Sequence, residues 1–211
     1  MKRSAALFHQ VMAREAELLH ATEDAFNAEV FDRAVDIIAK GRRVYVLGVR
    51  SGAPLAEYLA FYLNQMMPDV RLIRSSAAAD IFEQMMHLKE KDVVIGISFP
   101  RYSMRVLKAM EFANARQASI VTLTDDPHSP ICLYSSCNLT ARTAMTAFAD
   151  SMNAPMAVIS ALVTAVGTRR QKALKNNLEN LEKIWEDFPL DTYDELDPLD
   201  PSVTLIRRDD V

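Results

Sequence analysis

Two short stretches hold the residue types best suited to grip an anion. Gly48-Val49-Arg50-Ser51-Gly52 sets two glycines, a hydroxyl and a guanidinium directly before a helical segment. Ser98-Phe99-Pro100-Arg101-Tyr102-Ser103 again sets a cation among hydroxyls, with Ser103 placed to cap the helix that follows. Arginine offers a planar fork that pairs two phosphate oxygens at once, and neighbouring hydroxyls can satisfy the remaining lone pairs. A glycine-rich turn entering a helix can also present backbone N–H groups to an anion. The chemistry this implies is phosphomonoester binding, with Arg50 and Arg101 neutralising the charge and Ser51, Ser98, Tyr102 and Ser103 orienting it. The plainer alternative makes Ser103 only a cap, the arginines solvated cations and the glycines aids to a tight turn.

The two stretches matter because of where the surrounding pattern puts them. Apolar, β-branched runs at 44–49, 70–74, 92–98 and 119–124, with a fifth near 136–141, alternate with helical segments at 53–67, 77–88 and 103–117. Such alternation implies a parallel sheet covered on both faces, since each parallel connection crosses over through a helix. The fold class expected is α/β, a three-layer α/β/α sandwich on a five-stranded parallel sheet. In open sheets of this kind ligands bind beyond the carboxyl ends of the strands, where both stretches fall.

Helical stripes flank this core. Phe8, Val11, Met12, Leu18, Leu19 and Phe26 share one side of a helix over 4–26, and a second helix over 28–40 stops at Gly41. Two late helices are expected at 148–166 and 169–188, the latter with Leu174, Leu178, Leu181 and Trp185 as its stripe. Asp150 and Ser151 are placed to cap the first of these, while Pro155 either lies in its first turn or kinks it. From Pro189 aspartates and prolines replace apolar residues, as in an unpacked acidic tail. The divisions expected are linker and packing helices over 1–40, the α/β domain over 41–188 and the tail over 189–211.

Composition excludes several classes of function. With 211 residues the chain suits one substantial domain, and a formal net charge of -4 is unlike an autonomous nucleic-acid binder. The start, MKRSAALFHQVMAREAELLH, does not read as a secretory signal, and the run Ala154 to Val166 is too short to span a bilayer. A cytoplasmic protein without membrane attachment is expected. Cys132 and Cys137, with His128 nearby, lack the further ligands of a zinc site, so no metal and no cofactor are expected.

GVRSG after the first strand, ISFPRYS after the third, LTDDPHSP after the fourth and AFADSMNAPMAVISALV in the late helix resemble the SIS domain of RpiR-type transcriptional regulators. The resemblance spans 30–188 and implies a flavodoxin-like sheet, a phosphorylated sugar as ligand and a homodimer or tetramer. Strands one and three would then be neighbours, setting Arg50 beside Arg101. Ser75, Glu83, His87, Asp150 and Ser151 become candidate sugar contacts. The common third turn of the family, Ser-x-Ser-Gly-x-Thr or Ser, is altered here by Pro100 and Arg101, and the first turn has Arg50 where a glycine is frequent.

The resemblance further implies an effector domain that regulates carbohydrate genes through a ligand-sensitive dimer, reaching DNA only through a helix-turn-helix domain for which residues 1–40 leave no room. The helix over 4–26 resembles the linker joining the two halves of such regulators, so a piece of a longer regulator or a stand-alone protein is expected. Other SIS proteins isomerise sugar phosphates with a glutamate and a histidine, which would give Glu83 and His87, one helical turn apart, a role in proton transfer. That makes an aldose-ketose isomerase the alternative, beside a dimerisation module with no ligand. His128 sits in a turn whose chemistry needs no catalytic role.

Overall fold

The computed structural model describes residues 3–74, 78–146 and 149–187. Five parallel strands, β1 (Val44–Gly48), β2 (Val70–Ile73), β3 (Val93–Ile97), β4 (Ser119–Thr124) and β5 (Cys137–Thr140), form one sheet in the order β2-β1-β3-β4-β5. The helices are α1 (Arg3–Asp24), α2 (Ala28–Lys40), α3 (Ala53–Asn64), α4 (Ala78–Met85), α5 (Met104–Ala115), α6 (Asn153–Arg169) and α7 (Gln171–Asp187).

The strands alternate their side chains between two cores, as a pleat requires. Val44, Val46, Ile95 and Val121 meet α2, α3 and α6 on one face. Tyr45, Leu47, Val94 and Ile120 meet α4 and α5 on the other. Ala34, Val35 and Ile38 of α2 are buried in the first core, so this helix belongs to the sandwich itself. Each fully buried Leu or Ile contributes roughly 1.5–3 kcal/mol, enough in sum to fix the three layers.

Local signals explain most boundaries. Asn27 caps α2 by accepting from the Val30 N–H at 3.0 Å, and Ser103 caps α5 by accepting from the Arg105 N–H at 3.2 Å. Gly41 ends α2 with φ -58 rather than in the left-handed conformation; a Cβ there would stand 2.7 Å from Val93 Cγ2, so close approach to β3 is what demands glycine.

Three expectations need correction. Helix α4 ends at Met85, which places His87 in the following turn and not one helical turn along the same element as Glu83. β6 (Met145–Thr146) pairs antiparallel with β7 (Ala149–Asp150), so Ala149 and Asp150 are strand where the helix over 148–166 was expected. Helix α6 therefore starts at Asn153, neither Asp150 nor Ser151 caps it, and Pro155 lies in its first turn, where a missing N–H costs nothing.

The described residues up to Leu174 form one compact unit and those from Lys175 to Asp187 belong to a second. In the first, α1 buries Leu18 but leaves Phe8, Met12 and Leu7 more than half exposed. In the second, Ile184 and Trp185 are exposed on the last turns of α7. Ser75, Phe148 and the stretch 189–211 lie outside the described residues. Among the described residues no helix is long and apolar enough to cross a membrane.

Candidate functional site

Strand order reverses between β1 and β3, which pair in register with Gly48 opposite Ile97. The turns that leave these strands therefore stand side by side at the sheet's carboxyl edge. Gly48 makes the approach possible, since a Cβ on it would stand 2.2 Å from the Gly52 carbonyl oxygen. Gly52 does the same across the strands, its Cβ position being 3.0 Å from the Ile97 carbonyl oxygen.

Arg50 and Arg101, one in each turn, both have left-handed backbones, with φ 57 and φ 67. A non-glycine residue held there stores strain, and such residues gather at ligand-binding sites. Left-handed turns also swing successive N–H groups toward a common concavity. Between the two turns lies a cup lined by Arg50, Ser51, Ser98, Arg101 and Ser103. Its space of about 10 Å³ takes one water-sized group, such as a single phosphate oxygen. Arg50, Arg101 and Ser103 are shared with a cavity of about 610 Å³ beside it, large enough for a sugar.

The hydroxyls of the cup are organised by backbone donors. Ser98 Oγ accepts from the Ser103 N–H at 3.2 Å, and Ser103 Oγ is occupied by its capping bond. Among the described residues this leaves each hydroxyl's own proton for an acceptor in the cup. Tyr102 lines the larger cavity, but its hydroxyl donates to Asp125 at 2.9 Å. Burial, reinforced by that bond, pushes the phenol up to about 12, so it stays protonated.

The Arg50 side chain makes no hydrogen bond or ion pair with another described residue, and Arg50 is exposed, while its carbonyl accepts from the Ala53 N–H. Arg101 is held: its Nη2 donates to Asp150 Oδ2 at 2.7 Å, on the β6–β7 hairpin. The next residue, Ser151, is buried and donates to the Glu15 carboxylate of α1. Asp150 thus touches the site through Arg101, whereas Ser151 faces α1.

Glu83 and His87 are exposed and do not line the large cavity. Sequence reasoning missed Arg74, Arg105 and Glu57, which do. Arg74 directly follows β2, and its position at a strand's carboxyl end was a usable signal. Among the described residues no cluster of three or more His, Cys, Asp or Glu could hold a metal ion, and Cys132 and Cys137 are free thiols.

A family model described as the SIS domain matches residues 37–165. Among solved structures, the sugar isomerase domain of the RpiR transcription factor from Sphaerobacter thermophilus superposes with TM-score 0.80 at 24% identity, covering 84% of this chain and 98% of that one. The Vibrio vulnificus NanR protein complexed with ManNAc-6P gives TM-score 0.74 at 16% identity over 87% of this chain and 70% of that one. Phosphoheptose isomerase GmhA from Neisseria gonorrhoeae gives TM-score 0.63 at 20% identity over 77% and 99%. Among curated proteins none matches the sequence.

Proposed function

The chain belongs to the SIS domain family, and on that premise we propose that it is a sugar-phosphate-binding effector domain of an RpiR-type transcriptional regulator. The observation that carries this reading is the pairing of two left-handed arginine turns, Arg50 and Arg101, around one hydroxyl-lined cup at the switch point. The ester phosphate sits at the mouth of the cup, one oxygen inside it, with both guanidinium groups neutralising its charge. Ser98 and Ser103 donate to it, and the sugar extends into the larger cavity, whose walls choose among sugars.

Resemblance of the fold to an RpiR factor and to a NanR bound to ManNAc-6P supports both the ligand class and the regulatory role. The linkage from Arg101 through Asp150 and Ser151 to Glu15 supports a route of signalling. A ligand acts only through its different affinity for two states, and one that draws Arg101 from Asp150 favours the state with a freed hairpin. Carried through α1 in a cytoplasmic homodimer, that preference would reach DNA-binding domains attached to it and so carbohydrate metabolism genes.

The isomerase reading is supported by the likeness to phosphoheptose isomerase and by Glu57, the only carboxylate among the described residues lining the cavity. A base positioned at a sugar carbon could move the proton that interconverts aldose and ketose.

Calorimetric titration with hexose, hexosamine and heptose phosphates, each beside its unphosphorylated sugar, tests the proposal. Binding confined to phosphorylated members supports it, and indifference to the phosphate rejects it. NMR of the same mixtures tests catalysis, where turnover lost in Glu57→Gln would replace sensor with isomerase.

A further inference from the structure

We infer that the ligand carries a second anionic group, so that within its class it is a phosphorylated sugar acid, and that Arg74 is the residue that reads that group. The inference rests on the sugar-phosphate reading above and narrows it.

The cavity of about 610 Å³ is walled by four arginines against one glutamate. Total charge alone does not demand a second anion, because Asp150 offsets Arg101 and a phosphate dianion matches what remains. Position does. Strand order puts β2 and β3 on opposite sides of β1, so the carboxyl ends of the two strands, which Arg74 follows directly and Arg101 follows within one turn, are separated by two strand spacings, roughly 10 Å. The phosphate is fixed at the β1–β3 end by the cup. Arg74 lines the cavity on its β2 side, away from the cup; its exposed side chain makes no hydrogen bond or ion pair with another described residue, so a second anionic group at that end of the ligand would be its partner.

Arg74 is also held in place. Its N–H donates to Gln84 Oε1 at 3.1 Å, and its carbonyl oxygen accepts from Gln84 Nε2 at 2.7 Å. One amide side chain thus clamps both backbone groups of the residue where the chain leaves β2, fixing the origin of the side chain at the cavity wall. A carboxylate at the end of the ligand distal to its phosphate would meet a two-pronged donor rooted at a fixed point of the wall, the pairing for which arginine is best shaped.

The experiment titrates 6-phosphogluconate and glucitol 6-phosphate, open-chain six-carbon phosphates that differ in a carboxylate against a hydroxymethyl group at the far end, into the wild-type protein and Arg74→Gln. The expected result is at least a tenfold preference for the acid in the wild type, shrinking to less than threefold in the variant because affinity for the acid falls selectively. Gln84→Ala, which releases the clamp, lowers the same preference in part while thermal unfolding confirms that each variant folds. Equal affinity for the two ligands in the wild type overturns the inference and leaves the sugar-phosphate reading standing. Equal weakening of both by Arg74→Gln overturns it too, by making Arg74 a phosphate contact. Failure of either ligand to bind, with the wider panel of phosphorylated sugars also silent, removes the sugar-phosphate reading along with it.

Discussion

Arg101 Nη2 lies 2.7 Å from Asp150 Oδ2, so the cation that the β3 turn presents to a ligand is already shared with an acid on the β6–β7 hairpin. The Arg101 side chain is about half exposed, and an ion pair so solvated is worth at most about 1 kcal/mol. A dianionic ester can therefore displace Asp150 at little cost.

Removing the competitor should tighten binding. Asp150→Ala is expected to raise sugar-phosphate affinity up to about fivefold by calorimetry, in keeping with an ion pair of that strength. A loss of affinity would mean that Asp150 positions Arg101 rather than competing for it.

Gly48 should tolerate nothing larger. Gly48→Ala puts a methyl 2.2 Å from a backbone oxygen, which no rotamer change can relieve. Overpacking of this kind costs roughly 1–3 kcal/mol or more, and here the turn itself must shift. A lower denaturant midpoint together with lost ligand binding is expected; unchanged binding would show that the turn does not shape the cup.

The amino edge of the sheet supplies a pH dependence. Burial opposes ionisation of Asp69, but hydrogen bonds and charge from Arg43 and Arg71 outweigh it and hold the carboxyl below its ordinary range. A folded-state value below the unfolded one, near 4, contributes stability present above about pH 5 and lost as pH falls through the folded value. Asp69→Asn should therefore lower the urea midpoint at pH 7, by about 1 kcal/mol in stability for so partly solvated a pair, and the gap should narrow as pH falls below the ordinary carboxylate range. A gap independent of pH would exclude the ionic contribution.

Much of this was readable from residue order because short-range rules decided it. The bounds of α2 and β4 follow from Asn27, Gly41 and a β-branched run, and the flavodoxin-like strand order puts Arg50 beside Arg101 without any coordinates. The β6–β7 hairpin was illegible because Asp150 looks like a helix cap, while its actual partner, Arg101, is 49 residues away. The left-handed backbones at Arg50 and Arg101 were hidden for a similar reason: arginine avoids that conformation intrinsically, and only the closure of two turns over one edge imposes it. Arg74 and Glu57 reach the cavity through tertiary placement, with no motif of their own.

The central claim is that both guanidinium groups hold one phosphate. Titration of the best-bound sugar phosphate from the panel into the wild-type protein, Arg50→Ala, Arg101→Ala and the double variant tests it directly. Each single change should weaken binding at least tenfold, since a hydrogen bond to a charged group is worth about 1.5–3 kcal/mol. The double variant should lose phosphate dependence, binding the ester no better than the free sugar. Full phosphate dependence retained in the double variant would contradict the account.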